Sequence, residues 1–109
     1  MRRRKKLDRE DLAVPGRTEA VILSLLLNGK ELHGLEMVRL SNGILKRAAV
    51  YVYLHRMEQG GLVQSRLDEN YSDRGPPRRK YRISAKGRQA LMAREAAAAV
   101  FATVLPATN

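Results

Sequence analysis

The sequence predicts a mainly α-helical fold with a two-stranded β-hairpin, ordered helix, helix, helix, strand, turn, strand, helix. Three observations point there. Apolar residues recur at helical spacing in three segments before residue 60, then switch to alternation. A turn rich in Gly and Pro divides the alternating region into two strands. An alanine-rich segment of about 20 residues closes the chain, and alanine is the best helix former.

Taken in order, residues 1–15 read as a basic arm: five of the first six residues are cationic, and Pro15-Gly16 ends it. Thr18 is the expected cap of the first helix, with Glu19 near its positive end. That helix runs to Leu27, where Asn28-Gly29 stops it. Its apolar residues, Val21 to Leu23 and Leu25 to Leu27, go almost all the way round, so it is expected to be buried on more than one side. A second helix fits Leu32 to Leu40, with Leu32, Leu35, Glu36, Met37 and Leu40 inward, and Ser41-Asn42-Gly43 closes it. The third fits Lys46 to Gln59, with Val50, Leu54 and Met57 as its core stripe and Gly60-Gly61 at its end.

Leu62 to Leu67 reads as the first strand, Tyr71 to Pro77 as the turn, and Arg79 to Ser84 as the second strand. Ser84 is the expected cap of the last helix and Pro106 its stop. Ala90, Ala97, Ala98, Phe101, Val104 and Leu105 form a narrow apolar seam suited to pairing with another helix. The expected organisation is therefore an arm (1–15), a winged helix-turn-helix (16–83) and a C-terminal helix and tail (84–109).

Charge indicates the partner. The 109 residues hold 21 Lys plus Arg against 11 Asp plus Glu, a net +10, which favours a polyanion. Thirteen of the 21 cations lie in three segments: the arm (Arg2, Arg3, Arg4, Lys5, Lys6), the third helix (Lys46, Arg47, Arg56) and the hairpin (Arg74, Arg78, Arg79, Lys80, Arg82). A winged helix-turn-helix uses such segments on double-stranded DNA: its third helix enters the major groove, and its wing meets phosphates.

With the core stripe turned inward, Arg47, Ala48, Ala49, Val52, Tyr53 and Arg56 are candidates for the outer face of the third helix. Arg can fork onto a guanine edge, and small Ala side chains allow close approach. Lys46 and Arg47 sit against the positive end of the helix dipole, which a phosphate partner would relieve. Tyr53 is the expected phosphate donor, and Tyr51 is expected to pack. The arm, through Arg3 and Arg4, is expected on the backbone or in a minor groove.

Other classes fare worse. There is no Cys, and His33 and His55 have no metal-ligand spacing, so both read as structural or surface residues and no metal or cofactor is expected. No nucleophile elbow, P-loop or carboxylate pair is present, so no enzyme is expected. The longest apolar run, Ala20 to Leu27, is too short to span a bilayer, and no apolar segment directly follows the basic start, which reads as a cytosolic chain. A basic RNA-binding or ribosome-associated module would share the charge but needs exposed stacking aromatics. A winged helix used only for protein assembly would not need Arg78, Arg79 and Lys80.

Three segments also carry a resemblance. Leu32-His33-Gly34-Leu35-Glu36 resembles the His-Gly-Tyr-Glu signature of the PadR-like transcriptional regulators. Val50 to Val63 is similar to their recognition-helix segment, and Gly75 to Gly87 to their wing, Gly-Arg-Pro-Arg-Lys-Tyr-Tyr then Thr-x-x-Gly. The resemblance covers about residues 18 to 91. It implies a DNA-binding regulator, usually a repressor, acting as a homodimer. Pairing in that family runs largely through the helix after the wing, which here brings in Leu91, Ala98, Phe101 and Leu105. Some members bind a small aromatic effector between subunits, often using Trp. This chain departs at Leu35 (for Tyr), at Lys46-Arg47-Ala48-Ala49 (for Ser-Pro-Gly-Thr), and in having a short last helix and no Trp.

Overall fold

The computed structural model describes residues 14–68 and 78–104. Arg3, Arg4, Arg74, the turn Tyr71 to Pro77 and Leu105 lie outside the described residues. The elements are α1 (Arg17–Leu25), a 3₁₀ turn (Leu27–Gly29), β1 (Leu32–His33), α2 (Gly34–Leu40), α3 (Arg47–Gln59), β2 (Val63–Leu67), β3 (Arg79–Ile83) and α4 (Ala85–Val104). This is the winged-helix arrangement, with one strand more than the sequence predicts.

α1 starts two residues earlier than its expected cap allows. Gly16 is the N-cap, and its backbone N–H donates to Glu19 Oε1 at 2.9 Å. Thr18 therefore lies inside the helix. Glu19 closes the turn from within, the acidic half of a capping box. Ala20, Ile22, Leu23 and Leu26 are buried, and Val21, Leu25 and Leu27 pack against the same core from its edge. The all-round apolar pattern is thus largely spent within the chain. The helix stops where Asn28 and Gly29 both take positive φ (71° and 74°), which suits these two residue types.

The added strand is β1. It pairs antiparallel with β3, with Leu32 opposite Tyr81 and His33 opposite Lys80, and the sheet order is β1-β3-β2. Two residues are too few to show alternation, so Leu32 and His33 read as the start of the second helix. β2 pairs with β3 from Val63–Ile83 to Leu67–Arg79.

α2 and α3 meet across a tight turn fixed by Ser41. Its hydroxyl donates to the Val38 carbonyl at 2.8 Å and accepts the Leu45 N–H at 2.9 Å. That leaves Leu45 buried beside Met37, Val50, Leu54 and Met57 in the common core. The expected stripe of α3 is therefore its inner face. Leu40 departs from expectation: it is exposed at the last turn of α2, beyond the reach of the core.

α4 is anchored at its start. Ser84 Oγ accepts the Gly87 N–H at 2.9 Å, as its expected capping role requires, and its proton is shared between the Gly61 and Leu62 carbonyls at 2.5 and 3.0 Å. Further along, Arg94 donates to the Pro15 carbonyl at 2.9 Å. Leu91 is only 3% exposed and belongs to the core. This corrects the pairing role that the family resemblance implied for it, since it has no surface left for a second copy. Beyond Arg94, residues 95–102 are exposed. Among the described residues no helix is long and apolar enough to cross a membrane.

Candidate nucleic-acid interface

The outer face of α3 follows from its inner one. Val50, Leu54 and Met57 point inward, so residues about half a turn away point outward: Ala48, Val52, His55, Arg56 and Gln59, all exposed. Val52 is 50% exposed despite its branched apolar side chain. Lys46 is the N-cap and Arg47 the first helical residue, and both are exposed. No acidic residue lies in this first turn, so cations stand where the dipole is positive. His55 and Gln59 were missed by sequence reasoning, although the same periodicity would have found them.

Two expected residues sit at the side of this face. Ala49 and Tyr53 are half-buried, and Tyr53 packs against the core. The Arg56 guanidinium lies 6.0 Å from the Tyr53 ring centroid, within cation–π range. Tyr51 is 48% exposed, with its ring beside the backbone of Gly34. Tyr51 packs as expected, on Gly34, but it carries the more open ring of the two, while Tyr53 is the more deeply placed. Tyr53 lies three residues from Val50, close enough to the inner stripe to reach the core.

The Gly34 contact has a measurable consequence. A Cβ on Gly34 would stand 2.6 Å from Tyr51 Cε1. Because the ring is half-exposed it can swing away, so Gly34→Ala is expected to cost about 1 kcal/mol, the low end of overpacking. That corresponds to a fall in Tm of roughly 4–8 °C for a domain of this size. An unchanged melting curve would show that the ring gives way at no cost.

The hairpin does not present its cations as one cluster. Side chains alternate across a strand, so Arg79 and Lys80 lie on opposite faces. Arg79 is exposed and donates to Ser65 Oγ at 3.0 Å, and that hydroxyl in turn donates to Glu58 of α3 at 2.7 Å. Lys80 is half-buried and faces the side of Arg66, Arg82 and Glu31. Arg66 clamps Glu31 through two bonds, at 2.6 and 3.1 Å. That hydrogen bond, with weaker help from Lys80 and Arg82, holds the Glu31 carboxyl below its ordinary pKa. Arg78 is exposed just before β3, and its carbonyl accepts the Asp68 N–H at 2.8 Å, which closes the stem of the wing.

The stem is also tied to the helices. Asp68 is 6% exposed, and its carboxylate lies 2.9 Å from His33 Nε2. His33 Nδ1 lies 3.1 Å from Glu36 Oε1, which also accepts the His33 backbone N–H at 2.7 Å. His33 is therefore structural: it joins the start of α2 to the base of the wing. Among the described residues no group of three or more His, Cys, Asp or Glu could hold a metal ion.

On the last helix, Ala98 and Phe101 are exposed, Phe101 by 64%, and Met92 and Val100 are similarly open. With Leu91 in the core, the open apolar surface of α4 starts at Met92 and continues to Phe101.

Comparison with known proteins agrees with this geometry. A family model, the transcriptional regulator PadR-like family, matches residues 22–93. No match is found among curated protein sequences. A PadR family transcription regulator from Clostridium difficile R20291 is 27% identical over 83% of this chain and 95% of its own, with a TM-score of 0.66. A PadR-like transcription factor from Bacteroides fragilis is 22% identical over 93% of each chain, with a TM-score of 0.69. Bacillus subtilis PadR, solved in complex with operator DNA, is 22% identical over 72% of this chain and 46% of its own, with a TM-score of 0.62. The last two likenesses speak to the fold alone. The match over residues 22–93, on a chain folded as three helices, a small sheet with a wing and a long closing helix, shows that this protein belongs to the PadR-like family of transcriptional regulators.

Proposed function

We propose that this chain is a sequence-specific DNA-binding regulator, a repressor that sits as a homodimer on a two-fold related operator. The observation that carries the reading is the outer face of α3, exposed along its length with Lys46 and Arg47 at its start. Each α3 enters a major groove, with half-sites about one turn, some 34 Å, apart. Arg78 and Arg79 meet phosphates, as does the arm through Arg3 and Arg4. That a relative was solved with operator DNA supports the same use of the fold.

Pairing uses the far part of α4. Ala98 and Phe101 are exposed there on a helix whose near part is spent on the core, and an open apolar strip of that kind suits a second copy. Leu105 extends the strip in sequence. In this division residues 1–15 are the arm, 16–83 hold the winged helix, and 84–109 hold the pairing helix and tail.

The test is selection of bound duplexes from a random pool, followed by footprinting and a salt titration. The expected result is a two-fold related footprint and a log–log salt slope of about 0.9 per neutralised phosphate. A flat salt dependence, or RNA displacing the duplex at equal concentration, overturns the reading.

A further inference from the structure

We infer that Val52 and Ala48 read a thymine through its C5 methyl group, so that the centre of each half-site is chosen by apolar contact and not by a charged fork. This rests on the proposed DNA-binding function and names what its central site recognises.

The outer face of α3 divides into three parts. Lys46 and Arg47 stand at its start, and Arg56 stands toward its end, its guanidinium near the Tyr53 ring. Between them the outermost positions are Ala48 and Val52, one helical turn apart and both exposed, with the half-exposed ring of Tyr51 alongside. From Ala48 to Tyr53 no residue is charged.

A single exposed apolar side chain needs no explanation. A branched one in mid-helix, aligned with a second small apolar residue and bracketed by cations, is a different pattern. Valine gains nothing for the helix at this position, because β-branched residues are poorer helix formers than alanine. Burying Val52 on a partner is where it contributes. Cations at both ends fit phosphates on the two sides of a groove, which places the apolar centre over the base edges. Thymine alone among the four bases offers an apolar group there, its C5 methyl. Ala48 has no side chain beyond Cβ, which leaves the close approach that a methyl contact needs.

The experiment uses the full chain and duplexes recovered from a random pool. Each thymine is replaced in turn by deoxyuridine, which removes only the methyl group. The wild-type protein should lose about fourfold in affinity at one thymine position per half-site, the worth of one buried methyl-sized group. Val52→Ala should bind the thymine duplex about fourfold more weakly and be indifferent to the deoxyuridine there. Its exposed site and alanine's helix propensity should leave the far-ultraviolet spectrum unchanged. If duplexes are enriched but no thymine position responds, or if Val52→Ala responds as the wild type does, this inference fails and the DNA-binding reading stands. If no duplex is enriched, that reading fails and this inference falls with it. The deoxyuridine arm needs no variant, so the test holds even if Val52→Ala folds poorly.

Discussion

Charge reversal of Arg78, Arg79 and Lys80 to Glu should weaken binding to any duplex by about a hundredfold or more at physiological salt, and should lower the salt slope by at least about 2. Each lost phosphate contact removes roughly 0.9 from that slope, whatever the base sequence. The three residues should not contribute equally. Arg78 and Arg79 are exposed, and Arg79 is steadied by Ser65, which is itself bonded to Glu58 of α3. A wing cation oriented in this way meets a phosphate at little entropic cost. Lys80 is half-buried on the other face of the strand, where it adds to the field of Arg66 and Arg82 around Glu31. Lys80→Glu would place a second carboxylate near Glu31, so part of its effect is local repulsion. The double variant Arg78→Ala, Arg79→Ala is therefore the cleaner measurement, with a slope change of about 2 expected and the melting curve nearly unmoved. Fluorescence anisotropy on one selected and one scrambled duplex, at several salt concentrations, reads both quantities. Equal slopes for variant and wild type would remove the wing from the interface.

The same residues show what the sequence could and could not reveal. Val50, Leu54 and Met57 were legible because helical spacing and burial coincide in a central helix. The capping role of Ser84 was legible because the hydroxyl bonds within its own turn. What escaped depended on contacts between distant segments. β1 is too short to carry a pattern, and its existence depends on β3 lying beside it. The link between His33 and Asp68 spans 35 residues, so neither could be assigned a partner from spacing. Leu91, which the resemblance placed among the pairing residues of α4, is captured by the core because the first turns of that helix are held down at Leu62. That Tyr53 lies deeper than Tyr51 escaped because periodicity gives a direction and not a depth. For the candidate site, the helix and wing were legible as regions, and so was the alternation that puts Arg79 and Lys80 on opposite faces of the strand, while the partners of each face, Ser65 and Glu58 on one and Arg66 and Glu31 on the other, follow from the pairing with β2.

Gly87→Val should destabilise the fold far more than Gly34→Ala, by about 3 kcal/mol, the upper range of overpacking. The reason is a close approach and not an unusual backbone angle. Gly87 lies in the first turn of α4, and a Cβ built on it would fall well inside van der Waals contact with the Leu62 carbonyl oxygen and 2.8 Å from Ile83 Cγ1. The obstruction cannot swing aside as the Tyr51 ring can at Gly34. That carbonyl also accepts the Ser84 N–H at 3.0 Å, and the Ser84 hydroxyl, shared between it and the Gly61 carbonyl at 2.5 Å, holds the same turn. Relief requires α4 to lift from the start of β2, which pulls on Ile83 and Leu91, both members of the core. At roughly 4–8 °C per kcal/mol, Tm should fall by about 12–24 °C. Gly16→Ala is the matching control: its nearest neighbour is Glu19 Oε1 at 4.0 Å, so nothing need move. If Gly87→Val melts with the wild type while Gly16→Ala does too, the docking of α4 on Leu62 is not what holds the closing helix in place. If Gly87→Val melts early yet binds duplex normally below its transition, then α4 sets stability without setting the pose of α3. That outcome would separate the two roles this helix combines, anchoring the core at Leu91 and presenting Phe101 beyond it.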